Sequence, residues 1–90
     1  MSELFDLGQV VATPGAVEFG ERGVDLFELI CCHRSGDWGG GLCEEDKALN
    51  EAALKDGSRI LSAYITPMGK LWIITEADHS STTILLPEEY

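Results

Sequence analysis

Arg59-Ile60-Leu61-Ser62-Ala63-Tyr64-Ile65-Thr66 leads into Pro67-Met68-Gly69-Lys70, and that into Leu71-Trp72-Ile73-Ile74-Thr75-Glu76. Two runs rich in β-branched, aromatic and aliphatic residues flank a turn with Pro first and Gly third, which predicts an antiparallel hairpin. The polar stretch Ala77-Asp78-His79-Ser80-Ser81 predicts a second turn, and Thr82-Thr83-Ile84-Leu85-Leu86 a third strand ended by Pro87. A three-stranded antiparallel meander is therefore expected in the C-terminal third.

The residues before the meander read differently. Gln9–Ala12 is a short β-prone segment. Thr13-Pro14 is a helix start, with Thr as N-cap and Pro at the first helical position, and Gly23 suits the C′ position that ends the helix. Asp25-Leu26-Phe27-Glu28 has capping-box spacing, which predicts a second helix to about His33 or Arg34. Its expected buried stripe is Leu26, Phe27, Ile30 and Cys31. Ser35 to Gly41 breaks the periodicity with four glycines among seven residues, and Trp38 sits inside it. A third helix is expected over Leu42–Asp56, acidic in its first turn, stopped by Gly57, with an apolar face of Ala48, Leu49, Ala52 and Ala53. Helices followed by strands give an α+β fold: a short N-terminal strand, two to three helices, then the meander, with the helices packed on one face. Residues 1–7 read as a loose N-terminal arm, and 1–90 as a single small domain.

The chain has 90 residues, 16 acidic against 6 basic side chains, and a formal net charge of −10. That charge repels nucleic acid and anionic membranes and favours a basic or polar protein partner. It is unevenly spread. Residues 1–46 hold ten acids and two bases, a net of −8, which makes the first half the electronegative side. No run reaches the roughly 20 apolar residues of a membrane span. The first residues lack a basic and an apolar signal region, so a cytoplasmic location is expected. Cys31, Cys32 and Cys43 are odd in number and read as reduced thiols rather than a disulfide framework.

Candidate chemistry is sparse. Cys31, Cys32, His33, Cys43 and His79 include zinc-ligand types, but no C-x-x-C pair exists and adjacent cysteines diverge by about 100° on a helix. No metal and no cofactor are expected. No nucleophile elbow, phosphate loop or dinucleotide fingerprint is present. Glu44, Glu45 and Asp46 suit a helix start. Asp37 suits an Asx turn. Trp38 reads either as a plug at the core edge or as a partner anchor. His79, between Asp78 and Ser80, reads as an exposed turn residue whose charged form neighbouring acids favour. The candidate binding residues are thus His33, Asp37, Trp38, Glu44, Glu45, Asp46 and His79. None is assigned a catalytic role.

Several segments form an ordered set: Gly8-Gln9-Val10-Val11-Ala12-Thr13-Pro14-Gly15-Ala16, His33-Arg34-Ser35-Gly36-Asp37-Trp38-Gly39, Glu45-Asp46 with Asn50-Glu51-Ala52-Ala53-Leu54, Arg59–Tyr64, Leu71–Asp78 and Thr82–Tyr90. This set resembles a family of small uncharacterised bacterial proteins of plasmids and integrated mobile elements. Its members carry the label plasmid-related or type I restriction subunit M. A DNA adenine methyltransferase requires an Asn/Asp-Pro-Pro-aromatic tetrapeptide and a cofactor-binding domain, and this chain has neither. Gly39–Cys43 is longer than the corresponding loop of the family, which bears on where the third helix begins. The resemblance implies no activity. The expected function is a non-enzymatic interaction module of a mobile element. The alternative is an acidic DNA mimic that inhibits a restriction, repressor or defence protein. At one charge per about 1.7 Å of duplex, ten charges match roughly five base pairs. A small hydrolase or nuclease built on His33 or His79 is the third class.

Overall fold

The computed structural model describes residues 5–90. In chain order these form strand β1 (Gln9–Ala12), helices α1 (Pro14–Glu21), α2 (Leu26–Ser35) and α3 (Glu44–Asp56), strands β2 (Ile60–Thr66), β3 (Gly69–Thr75) and β4 (Ser81–Leu85), and a closing 3₁₀ turn at Pro87–Glu89. The class is α+β, as the pattern of helices before strands predicts. Among the described residues no helix is long and apolar enough to cross a membrane.

The sheet order is β1-β4-β3-β2. β2, β3 and β4 form the expected antiparallel meander, and β1 adds in parallel to β4. Thr66 pairs with Gly69, which leaves only Pro67 and Met68 in the hairpin loop. Successive side chains of a strand point to opposite faces, so the register sorts them. One face carries Ile60, Ser62 and Tyr64 of β2, Leu71, Ile73 and Thr75 of β3, and Thr82 and Ile84 of β4. Helices α1 and α2 cover this face. Ala16, Phe19 and Ile30 pack with Tyr64, Leu71, Ile73 and Ile84 as the main core, and Ala53 of α3 packs with Ile60, Phe5 and Trp38 beside it. On the other face Tyr90 lies edge-on to Trp72 at 5.8 Å between ring centres, with the Arg59 guanidinium over its ring.

The helix ends follow local chemistry. Thr13 accepts the Ala16 N–H and Asp25 the Glu28 N–H, each occupying a donor that the first turn cannot bond internally. Gly36 and Gly57 end α2 and α3 in the left-handed conformation. The Glu89 carboxylate accepts from the Thr13 hydroxyl and from the Gly15 and Leu86 N–H groups. The C-terminal turn is thereby tied to the start of α1, and those donors hold the Glu89 carboxyl below its usual range.

Four sequence expectations are corrected. The buried stripe of α2 runs through Leu26, Leu29, Ile30 and His33, whereas Phe27 is 76 % exposed. The stripe is rotated because the inward position at the end of α2 goes to a histidine whose two nitrogens find partners in the sheet. In α3 the inward residues are Asn50 and Ala53, with Ala48, Leu49 and Ala52 exposed, because Asn50 is matched to backbone rather than to side chains. α3 begins at Glu44 instead of Leu42, since Gly41 is bonded to β2 and Leu42 packs beside Phe5 and Trp38. The N-terminal arm was expected to be loose to residue 7. From Phe5 it is packed, with Phe5 buried and the Leu7 carbonyl bonded to Thr82, while residues 1–4 lie outside the described residues.

The outer edge of β2 is closed by side chain and loop. The Asn50 amide donates to the Leu61 carbonyl at 2.5 Å and accepts the Leu61 N–H at 3.1 Å. Two residues on, Ala63 donates to the Trp38 carbonyl at 3.0 Å and accepts the Gly41 N–H at 2.9 Å. Gly39 lies so close to the Ala63 carbonyl, at φ +90°, that a Cβ would collide with it. Asn50→Ala removes one pair of these bonds. It is expected to lower the unfolding free energy by about 2 kcal/mol and to raise concentration-dependent association, read by urea denaturation and light scattering.

Candidate functional site

His33 is a fully buried titratable side chain at the centre of the fold. It sits near the end of α2 and faces the sheet between β2 and β3. Its Nδ1 is 2.5 Å from Ser62 Oγ and its Nε2 2.8 Å from Thr75 Oγ1. Thr75 Oγ1 is 2.8 Å from Thr82 Oγ1, which donates to the Leu7 carbonyl at 2.7 Å. Proton counting orders this chain. Each hydroxyl has one proton, and Thr82 spends its proton on Leu7. Thr75 must therefore donate to Thr82 and accept from His33. Nε2 carries the imidazole proton, and Ser62 donates to the bare Nδ1. Every member is satisfied in one direction, from Ser62 to Leu7.

This environment holds His33 neutral. Burial removes the water that would solvate imidazolium, and among the described residues no carboxylate replaces it, so its pKa falls from 6.5 to about 3. Burial likewise pushes the Tyr64 phenol above its ordinary value, while its hydroxyl donates to the Asp37 carbonyl at 2.6 Å. The Cys32 thiol is raised by burial first and by the Asp37 charge second. The groups nearest the centre all rest in their uncharged forms.

An aromatic cluster closes over the histidine. Phe5 meets His33 edge-on at 5.1 Å, stacks with Trp38 at 6.3 Å and tilts against His79 at 5.7 Å, and His33 and Trp38 lie 6.1 Å apart. Three candidate residues, His33, Trp38 and His79, are thus brought together around Phe5. Trp38 is buried, and its indole N–H donates to Glu51 at 2.9 Å. His79 is half-buried rather than exposed, because its turn folds onto Phe5, and it takes the left-handed conformation at φ 57°. The other four candidates stay apart from this cluster. Asp37 is exposed and accepts the Gly39 N–H, as an Asx turn requires. Glu44 and Glu45 are exposed on α3, and Asp46 accepts from the Cys43 thiol. Among the described residues no three His, Cys, Asp or Glu side chains converge as a metal site.

Ser62, Thr75, Thr82, Asn50 and Phe5 were not singled out from the sequence. The hydroxyl residues carried a signal there. Ser62 alternates with Ile60 and Tyr64, and Thr75 with Leu71 and Ile73, so each is polar at a core-facing strand position. Comparison of the chain with known protein families, with characterised proteins and with solved structures finds no match.

Because unfolded His33 takes a proton near pH 6.5 and folded His33 only near pH 3, the unfolded chain binds the extra proton between those values. Stability then rises with pH across that window and is flat above it. The expected slope is about 1.4 kcal/mol per pH unit. Urea denaturation at several pH values should show that slope in the parent protein and a shallower one in His33→Gln. Nitrogen-15 NMR should find His33 as the neutral Nε2–H tautomer at pH 5.

Proposed function

We propose that the protein is a non-enzymatic interaction module of a bacterial mobile element, acting through the apolar surface between β1 and α2. The reading is carried by one observation. Phe27, a large apolar side chain, stands 76 % exposed on α2 at a groove of about 360 Å³ lined by Leu7, Val10, Leu26, Ile30, Cys31 and Ile84. A small domain needs its aromatic residues inside, and burying a Phe is worth about 1.5–3 kcal/mol. Leaving one outside beside a groove favours recognition over folding.

The internal chemistry supports the same reading. Ser62 and His33 are at hydrogen-bond distance, as a nucleophile and its base would be, but both are fully buried. The third member is the neutral Thr75 hydroxyl, where a working triad places a carboxylate that orients the base and stabilises imidazolium. A histidine protonated only near pH 3 is a weak base at neutral pH. The relay therefore suits fold specification better than hydrolysis.

Capture from bacterial lysate at about 50 and 300 mM salt tests the reading. The parent protein is expected to retain a partner at both salts, and Phe27→Glu to lose it without loss of folding. No partner at either salt would overturn it, and a hydrolytic turnover abolished by Ser62→Ala would assign an enzymatic role in its place.

A further inference from the structure

The two edges of the sheet are treated oppositely. β2 is capped at Leu61 by Asn50 and at Ala63 by the Trp38–Gly41 loop. β1 is the other edge in the sheet order, and all four of its residues are exposed. Gln9 and Thr13 donate inward, to the Ser80 and Ile84 carbonyls. Alternation then turns the N–H and C=O groups of Val10 and Ala12 outward. Protein edges are ordinarily blunted by shortness, charge, proline or a bulge; β1 is short at four residues, but Gln9-Val10-Val11-Ala12 has neither charge nor proline.

We infer that the outer edge of β1 accepts an extended segment of a basic partner protein as a fifth strand. This deepens the interaction reading above and rests on it. Val10 lies on the helix-covered face and lines the groove with Phe27 and Ile30. A strand added beside β1 projects every second side chain to that same face, into the groove. Those side chains are therefore apolar. The intervening ones point to the opposite face, and they carry the positive charge. Arg34 lines the groove, which also places the partner's cations on the other side. The sign comes from charge complementarity. The chain as a whole carries −10, a long-range field that attracts a cationic segment, and Asp6 is exposed shortly before β1. A second copy brings the same −10 and is repelled, whereas a basic strand is drawn in. Main-chain hydrogen bonds supply affinity, and the groove supplies selection for alternation.

The test uses the whole protein, labelled with nitrogen-15, and short synthetic peptides. One alternates valine with lysine, one alternates valine with glutamate, and one has the valine–lysine composition in block order. The alternating valine–lysine peptide is expected to bind at least about tenfold tighter than the other two and to shift and protect the Val10 and Ala12 amides. Val10→Pro removes an outward N–H that the ladder to β4 does not use, and Phe27→Glu charges the groove. Each is expected to weaken that peptide about tenfold or more. Equal binding of the block peptide would reduce the effect to bulk charge and overturn the inference. So would shifts confined to α3, or self-association of the free protein broken by Val10→Pro, which would assign the edge to a second copy. If no peptide binds while lysate capture still depends on Phe27, this inference falls and the interaction reading stands. If lysate capture fails as well, both fall.

Discussion

The structure is organised around a buried imidazole that must stay neutral. His33 comes from the last helical turn before the glycine loop, and its two nitrogens reach Ser62 on β2 and Thr75 on β3. Thr75 passes the chain to Thr82 on β4, and Thr82 to the Leu7 carbonyl just before β1. One run of hydrogen bonds thus touches α2, three strands and the N-terminal segment. An unpaired buried polar group costs about 1–3 kcal/mol, so any slip of one element against another leaves at least one such group orphaned. The apolar core around Leu71 and Ile73 gives the driving force for collapse. The relay selects one register among the ways in which a flat layer of Ile and Leu could pack.

The same economy shapes the sheet edges. A four-stranded sheet has two, and unpaired backbone is an invitation to association. On β2 the invitation is withdrawn, since Asn50 mimics a neighbouring strand at Leu61 and the Trp38 loop does so at Ala63. The glycine-rich loop that looks featureless in sequence is the element that lets backbone lie against backbone, and Trp38 anchors it in the core beside Phe5. On β1 no comparable device is present among the described residues. The groove and the exposed Phe27 lie on that side.

Much of this was legible in the residues. Strand β1 and the helix caps at Thr13 and Asp25 follow from local chemistry, and the meander from turn signals, because capping and turn formation involve neighbours within four residues. What was not legible depends on partners far along the chain. The parallel docking of β1 beside β4 joins residues about seventy positions apart. Phe27 and Leu49 looked like core by period and are exposed, because His33 and Asn50, polar residues that hydropathy places outside, take the inward positions. Ser62, Thr75 and Thr82 gain their meaning only from the register that lines them up across three strands. Of the candidate site, His33, Trp38 and His79 do come together, but around Phe5, which was placed in a loose arm.

One edge of the sheet is capped at Leu61 and Ala63, and the other is left open along β1. Residue-resolved amide hydrogen exchange measures that difference directly. Leu61 and Ala63, bonded to Asn50 and to Trp38, are predicted to exchange as slowly as the interior amides of β3, while Val10 and Ala12 exchange at nearly the rate of unstructured chain. Fast exchange at Leu61 and Ala63 together with protection at Val10 and Ala12 would contradict the account.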